Sequence, residues 1–221
     1  MFQLAIDRLE GLFTADRILV VTVAEQVHDL QKQYPSIPED NYLIEPLPRG
    51  TASVVGYAAV ALQNRNPDAT MAILTADHFI KDIPGFQQLL SSAYDLAQTE
   101  KLVTLGIMPE FPSTGYGYIQ RGGLIGNYQG KQAFEVMKFK EKPNEVLAAE
   151  FLREGDHYWN SGMFIWRADH ILKEFEQQMP ELTAQLGEIN RAWNSDQKTQ
   201  AIQNIWPTIH SETIDYGIME N

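Results

Sequence analysis

Short runs of β-branched and apolar residues alternate with longer helical segments along the first half of this chain. This alternation limits the possible folds more than any other feature. The runs at 17–23, 71–74 and 102–107 are nearly continuous in apolar character, which is typical of strands buried on both faces. Helical segments at 51–62 and 84–98 separate them. Strands and helices in this order predict an α/β fold, with a mainly parallel sheet covered by helices on both faces.

The second half of the chain departs from this alternation. Extended runs at 116–119 and 134–139 are joined by a glycine-rich stretch, and we interpret them as a hairpin beside the main sheet. A helix at 144–153 and a strand at 163–166 follow. Since no repeat, low-complexity segment or strong linker interrupts the sequence, we predict one domain over residues 1–221.

Composition excludes several classes of function. The formal charge of −12 argues against nucleic acid as a partner, because such surfaces cluster Lys and Arg on one face. An anionic substrate would therefore need local cations, backbone N–H groups or a metal. No apolar run reaches the roughly 18 residues of a membrane span, so we expect no membrane partner. The chain has no Cys, which excludes disulfides and thiolate catalysis and fits a cytoplasmic location.

Polar clusters lie where predicted strands end, the edge at which open α/β sheets bind ligands. Asp77 directly follows the segment 73–76 at the end of a predicted strand, and its carboxylate is either a Mg²⁺ ligand or the cap of a turn. Arg49, Gly50 and Thr51 precede a helix whose first N–H groups could receive a phosphate. An ordinary strand–turn–helix junction would have the same pattern.

Another cluster combines a cation, a carboxylate and an amide. In the run Lys138–Lys142, strict alternation would place the lysines on one face and Glu141 on the other. Pro143 favours an extended Lys142, so the strand end must twist if both groups are to contact one ligand. A solvated edge strand is the alternative. Asn160 could bind hydroxyls or form a turn, and Gly117 could admit a ligand ring or shape a turn.

Taken in order, these clusters resemble the motifs of one enzyme family, the mannose-1-phosphate guanylyltransferases (GDP-mannose pyrophosphorylases) among the sugar-1-phosphate nucleotidyltransferases. The matching segments cover nearly the whole chain and lie at 45–52, 75–78, 114–119, 139–143, 159–164 and 214–220. The resemblance implies a Rossmann-like fold. It also implies guanylyl transfer from GTP to mannose 1-phosphate, with release of pyrophosphate and with Mg²⁺ as cofactor.

The resemblance also assigns roles to individual residues. It implies that Asp77 binds the metal, that Lys142 contacts the sugar phosphate, and that Glu141 and Asn160 contact sugar hydroxyls. Gly117 would lie against the sugar. Arg49, Gly50 and Thr51 would lie near the nucleotide, and Asp215 is a second, weaker candidate for a metal ligand.

The sequence departs from the family pattern at both ends. The family begins with a strand and a Gly-rich loop that holds the triphosphate, whereas Met1–Leu4 matches the helix after that loop. A second metal-binding aspartate is expected beyond Asn221. We therefore expect an incomplete domain without its first strand, impaired activity, and self-association through exposed apolar edges.

Two alternatives to this function remain. One is a non-catalytic module that binds a sugar phosphate or a partner protein. The other is a relative with a different sugar or base, because Gly50 and Ser53 stand where the family usually has Asn and Pro.

Overall fold

The computed structural model describes residues 1–220. The strands are β1 (Val20–Val23), β2 (Tyr42–Glu45), β3 (Thr70–Ile73), β4 (Val103–Ile107), β5 (Tyr118–Tyr128), β6 (Lys131–Lys140) and β7 (His157–Arg167). The helices are α1 (Phe2–Asp7), α2 (Ala24–Gln33), α3 (Gly50–Arg65), α4 (Ile83–Ala97), α5 (Glu145–Glu154), α6 (Ala168–Gln178), α7 (Pro180–Arg191) and α8 (Lys198–Ile205). Every helix within the described residues is too short or too polar to cross a membrane.

The prediction of a mainly parallel sheet is wrong for the strand pairs of residues 1–220. Only β1 and β2 pair in parallel. The pairs β3–β7, β4–β7, β5–β6 and β5–β7 are all antiparallel. The reason is that β7 pairs with both β3 and β4, so those two strands share a direction without pairing with each other. The alternation of strands and helices along the chain does not indicate that a late strand, β7, lies between the earlier strands β3 and β4.

The prediction of helices on both faces is confirmed by the packing of β7. Phe164 and Trp166 belong to a buried cluster with residues of α3, α6 and α7. Met163 and Ile165 belong to a second cluster with residues of α4. Because successive side chains of a strand point to opposite faces, this one apolar run fills both layers.

The predicted hairpin is present and longer than the sequence indicated. It comprises β5 and β6, and its turn lies at Gln129 and Gly130, both with positive φ. The glycine-rich stretch forms part of β5 itself, where the pairing register shifts between Gln120 and Gly126. Such shifts bend and twist a strand pair.

An apolar cleft lies between β1 and β3. Among the described residues each of these strands pairs with one neighbour only, β1 with β2 and β3 with β7. Both line a cavity of about 430 Å³ that is also bordered by α1 and α3. The cleft is a position where a further strand would fit. That the family's first strand belongs there stays a prediction.

Candidate functional site

Lys142 and Glu141 contact each other at the end of β6. Lys142 Nζ lies 3.6 Å from Glu141 Oε1, although strict alternation would separate the two side chains. The expectation that Pro143 keeps Lys142 extended is wrong, since Lys142 has a φ of +43°. A positive φ is uncommon for residues other than glycine and often marks a functional position. This backbone twist brings the ammonium and the carboxylate to one side.

Gly117 and Asn160 border the same pair. The backbone N–H of Asn160 donates to the Gly117 carbonyl at 2.8 Å. A Cβ atom at Gly117 would overlap the Glu141 carboxylate and lie 3.4 Å from Asn160 Cβ. The absence of a side chain at Gly117 therefore allows β5, β7 and the end of β6 to converge.

The side chain of Asn160 is held at both ends of its amide group. Its Nδ2 donates to Asp215 Oδ1 at 2.8 Å. Its Oδ1 accepts from the Thr104 hydroxyl at 3.2 Å and from the Gly162 N–H at 3.1 Å. Since these contacts set which end of the amide donates, Asn160 is fixed before any ligand arrives.

Glu220 completes this cluster, and the sequence analysis assigned it no role. Its Oε1 accepts from the backbone N–H of Glu141 at 2.8 Å and from Lys140 Nζ at 3.1 Å. The local sequence does not indicate this contact, because Glu220 lies 79 residues from Glu141 along the chain. We call Glu141, Lys142, Asn160, Asp215 and Glu220 the acidic cluster.

The electrostatics of the acidic cluster favour a ligand with positive charge or hydroxyl donors. Burial raises the pKa of Glu141, and the nearby Asp215 raises it further. Burial also raises the pKa of Asp215, although the Asn160 amide opposes that shift. The pKa of Glu220 is lowered by the Glu141 N–H and by Lys140. Desolvated carboxylates are stabilised by a cation or by hydrogen-bond donors.

Three aromatic rings pack together, and one of them is next to Asn160 in the sequence. Trp159, the residue before Asn160, has its ring centroid 4.9 Å from that of Phe111 and 5.0 Å from that of Tyr116. Phe111 and Tyr116 are about half exposed. These rings come from separate segments, so no single sequence motif contains the group.

Asp77 lies on an exposed loop after β3, and a buried arginine of the N-terminal segment holds that loop. Arg8 is only 2 % exposed and donates to the carbonyls of Thr75 at 2.6 Å and His78 at 3.0 Å. Burial lowers the pKa of Arg8, and Asp77 partly offsets this. The structure thus gives Asp77 a positioned loop, and the sequence analysis missed Arg8 as its support.

The junction Arg49–Thr51 contacts the end of the chain. Arg49 donates to the Pro207 carbonyl, and the Thr51 hydroxyl accepts from the N–H of Ile214 at 2.9 Å. Gly50 has a φ of +81°, and a Cβ there would overlap the Glu212 carbonyl. We call residues 206–220 the C-terminal strap. Several polar groups of this junction are therefore bonded to the strap. That the junction also contacts a nucleotide stays a prediction.

Comparison with known proteins identifies the family of this chain. The family described as nucleotidyl transferase matches residues 1–209. A mannose-1-phosphate guanylyltransferase of Escherichia coli K12 is 35 % identical over 229 residues, which cover 100 % of this chain and 47 % of that protein. One from Salmonella typhimurium LT2 is 36 % identical over 230 residues, with 100 % and 46 % covered. The chain thus spans about half the length of these relatives.

Two solved structures share the fold. One is described as a mannose-1-phosphate geranyltransferase from Thermus thermophilus; its TM-score is 0.82 at 27 % identity, covering 98 % of this chain and 59 % of that one. The other is described as a mannose-6-phosphate isomerase from Helicobacter pylori; its TM-score is 0.81 at 25 % identity, covering 100 % and 84 %.

Proposed function

Because this chain belongs to the nucleotidyl transferase family, we propose that it takes part in guanylyl transfer from GTP to mannose 1-phosphate. In this reaction a phosphate oxygen of mannose 1-phosphate forms a bond to the α-phosphorus of GTP. The bond from that phosphorus to the β-phosphate oxygen breaks, so the products are GDP-mannose and pyrophosphate. The 35 % identity to mannose-1-phosphate guanylyltransferases supports this choice of substrates.

The observation that carries the proposal is the positive φ of Lys142, which places a cation and a carboxylate side by side. In the proposal, the Lys142 ammonium binds the phosphate of mannose 1-phosphate as a point charge. Glu141 accepts hydrogen bonds from sugar hydroxyls, and Asn160 adds the polar contacts that its network leaves free. Gly117 leaves room for the ring. Holding the sugar phosphate in this way supplies orientation, a large part of phosphoryl-transfer catalysis.

The nucleotide half of the proposal depends on Asp77 and on the junction Arg49–Thr51. Asp77 is exposed on a loop positioned by Arg8, and one or two carboxylates are enough for Mg²⁺ when substrate phosphates complete the coordination. When bound, this ion would neutralise charge on the phosphates. Arg49, Gly50 and Thr51 would lie near the nucleotide. Asp215, bonded to Asn160, is the weaker candidate for a metal ligand.

A pair of glycine variants tests the sugar-phosphate site by calorimetric titration with mannose 1-phosphate. Gly117→Ala places a methyl group on the Glu141 carboxylate and should weaken binding roughly 30-fold, the loss of one or two charged hydrogen bonds. Gly115→Ala is the matched control, because its Cβ meets only Ser113 Oγ at 3.7 Å. Absence of binding to the unmodified chain, or equal losses in both variants, would refute the proposed site.

A second candidate function is a sugar-phosphate-binding module without catalysis. It is favoured by the acidic cluster, which is formed although the separate β1–β3 cleft is open. The two functions differ in pyrophosphate release with GTP, mannose 1-phosphate and Mg²⁺. Binding without turnover would support the module, whereas turnover at ordinary enzyme rates would overturn the expectation of impaired activity.

The cytoplasmic location is proposed on the absence of Cys alone.

A further inference from the structure

Three potential metal ligands meet where α5 turns into β7. Glu154, Asp156 and His157 each offer one ligand atom, and these atoms all lie within 4.8 Å of one another. His157 Nδ1 is 3.3 Å from Glu154 Oε2 and 2.7 Å from Asp156 Oδ1. Ligand atoms bound tetrahedrally to one ion at about 2.0–2.2 Å lie roughly 3.4 Å apart. The His157–Glu154 distance matches this value, and the His157–Asp156 distance would have to lengthen by roughly 0.7 Å.

The local backbone explains why these three side chains converge. Glu154 is the last residue of α5, and Gly155 reverses the chain with a φ of +76°. A left-handed glycine is the usual end of a helix. The backbone N–H of Arg121 then donates to the Asp156 carbonyl at 2.9 Å, so the turn is fastened to β5. The fold therefore fixes the position of His157 and the turn, while Glu154 reaches His157 with a half-exposed side chain.

The buried side chain of His157 is the observation that supports a bound ligand. Its side chain is 4 % exposed, and its Nδ1 has no hydrogen-bond partner within residues 1–220. Asp156 Oδ1 is likewise buried without one. The two atoms face each other at 2.7 Å. The His157 ring is also fixed, since it stacks on Phe151 at a centroid distance of 4.0 Å and an interplanar angle of 13°.

The Asp156 carboxylate has an outer contact that orients it. Gln120 Nε2 donates to Asp156 Oδ2 at 3.1 Å, which leaves Oδ1 directed at the imidazole. Such contacts commonly orient metal ligands. A cation at the centre of the cluster would be shared by the two carboxylates and by His157 Nδ1.

We propose that Glu154, Asp156 and His157 form a binding site for a divalent ion of the zinc type. One imidazole nitrogen and two carboxylate oxygens suit Zn²⁺, with water in the fourth position. Mg²⁺ prefers oxygen ligands in octahedral geometry. The site is separate from the acidic cluster, because His157 lies three residues, about 10 Å, before Asn160 on β7 and points to the opposite face. Bound zinc would fasten the end of α5 to the sheet.

The test is a zinc titration of the 221-residue chain without a purification tag, followed by calorimetry and thermal unfolding. We expect a micromolar site with one ion per chain and an increase in melting temperature that Mg²⁺ does not reproduce. Glu154→Gln removes one ligand from an exposed side chain and should weaken zinc binding at least 10-fold. Glu150→Gln, on an exposed glutamate of the same helix, should leave the affinity unchanged.

The comparison of the two glutamate variants decides between this site and other sites for zinc on the chain. Equal affinity in Glu154→Gln and Glu150→Gln, or the absence of zinc binding, would overturn the proposal. Asp156→Asn provides a second test that keeps the buried stacking of His157 on Phe151. It should also weaken zinc binding at least 10-fold without changing the fold seen by circular dichroism.

Discussion

The C-terminal strap and the β1–β3 cleft differ in how closely they are bonded to the rest of the chain. Along the strap, distant residues fasten the structure, as in the contacts of Arg49 with Pro207, Thr51 with Ile214, and Asn160 with Asp215. In the cleft, two strands lie beside an apolar cavity of about 430 Å³. Within the described chain, each of them pairs with a single strand.

This difference shows that the sugar-side site is structurally separate from the cleft. The contacts that position Gly117, Glu141 and Asn160 come from β4, β5, β6, β7 and the strap. None of those residues lines the cleft. The acidic cluster is therefore formed by the chain itself, whereas the nucleotide-side residue Asp77 follows β3, which borders the open cavity. We expect changes in the strap and in the cleft to have distinct effects.

The largest effect is expected from Gly50→Ala, which disturbs the packing of the junction Arg49–Thr51 against the strap. The variant both forces a side chain into a φ of +81° and overlaps the Glu212 carbonyl. We expect the free energy of unfolding in urea to fall by about 3 kcal/mol, of which about 1–2 kcal/mol is backbone strain and the rest is overpacking.

Gly130→Ala separates these two costs. Gly130 has a φ of +82°, but no atom lies within 4 Å of the position that a Cβ would take there, so only the strain of about 1–2 kcal/mol should appear. If both variants lose the same stability, the strap does not hold the junction as the structure indicates.

A smaller effect is expected in the cleft, where exposed strand edges favour self-association. Ala76→Lys introduces a charge at the rim of the cavity, because Ala76 is exposed and lines it. It should weaken self-association about 10-fold in sedimentation velocity, or about 1.4 kcal/mol. Val146→Lys adds the same charge at an exposed position on α5 and should change nothing. A monomeric unmodified chain at high concentration would contradict this prediction.

The smallest effect concerns charge within the acidic cluster. Burial raises the pKa of Asp215 in the folded state, so folding favours its protonated form. Its ionisation therefore lowers stability as the pH rises through the folded-state pKa. Asp215→Asn should raise the free energy of unfolding by about 1 kcal/mol at pH 7, and this gain should vanish below about pH 4, where the unfolded carboxyl is also protonated.

The matched control for this measurement is Asp196→Asn, which removes an exposed carboxylate from the turn between α7 and α8. Its effect should stay within a few tenths of a kcal/mol across the same pH range. A gain in Asp215→Asn that is constant from pH 3 to pH 7 would show that charge burial is not the cause.

Much of the local structure could be predicted because it depends on neighbouring residues. The apolar run at 163–166 indicated a strand, and the Gly-rich stretch before Phe134 indicated a hairpin. Both are confirmed. The parallel pairing of the main sheet was predicted wrongly, because the order of elements along the chain does not indicate the order of the strands within the sheet.

The candidate site was predicted in part for the same reason. Gly117, Glu141, Lys142 and Asn160 were identified from short motifs, and the structure brings them together. Arg8 and Glu220 were missed, since each acts on a segment about 70 or more residues away. The left-handed Lys142 was also missed, because the local preference before a proline is for an extended backbone.

The sequence alone determined which residues are buried, which segments are helical or extended, and which family the motifs resemble, because burial pattern and local backbone preference are encoded within a few residues. Only the tertiary structure decided the antiparallel placement of β7, the closure of the site by the strap and the convergence of Glu154, Asp156 and His157. Those features depend on packing and hydrogen bonds between distant segments, whose energies exceed local backbone preferences once the chain is folded.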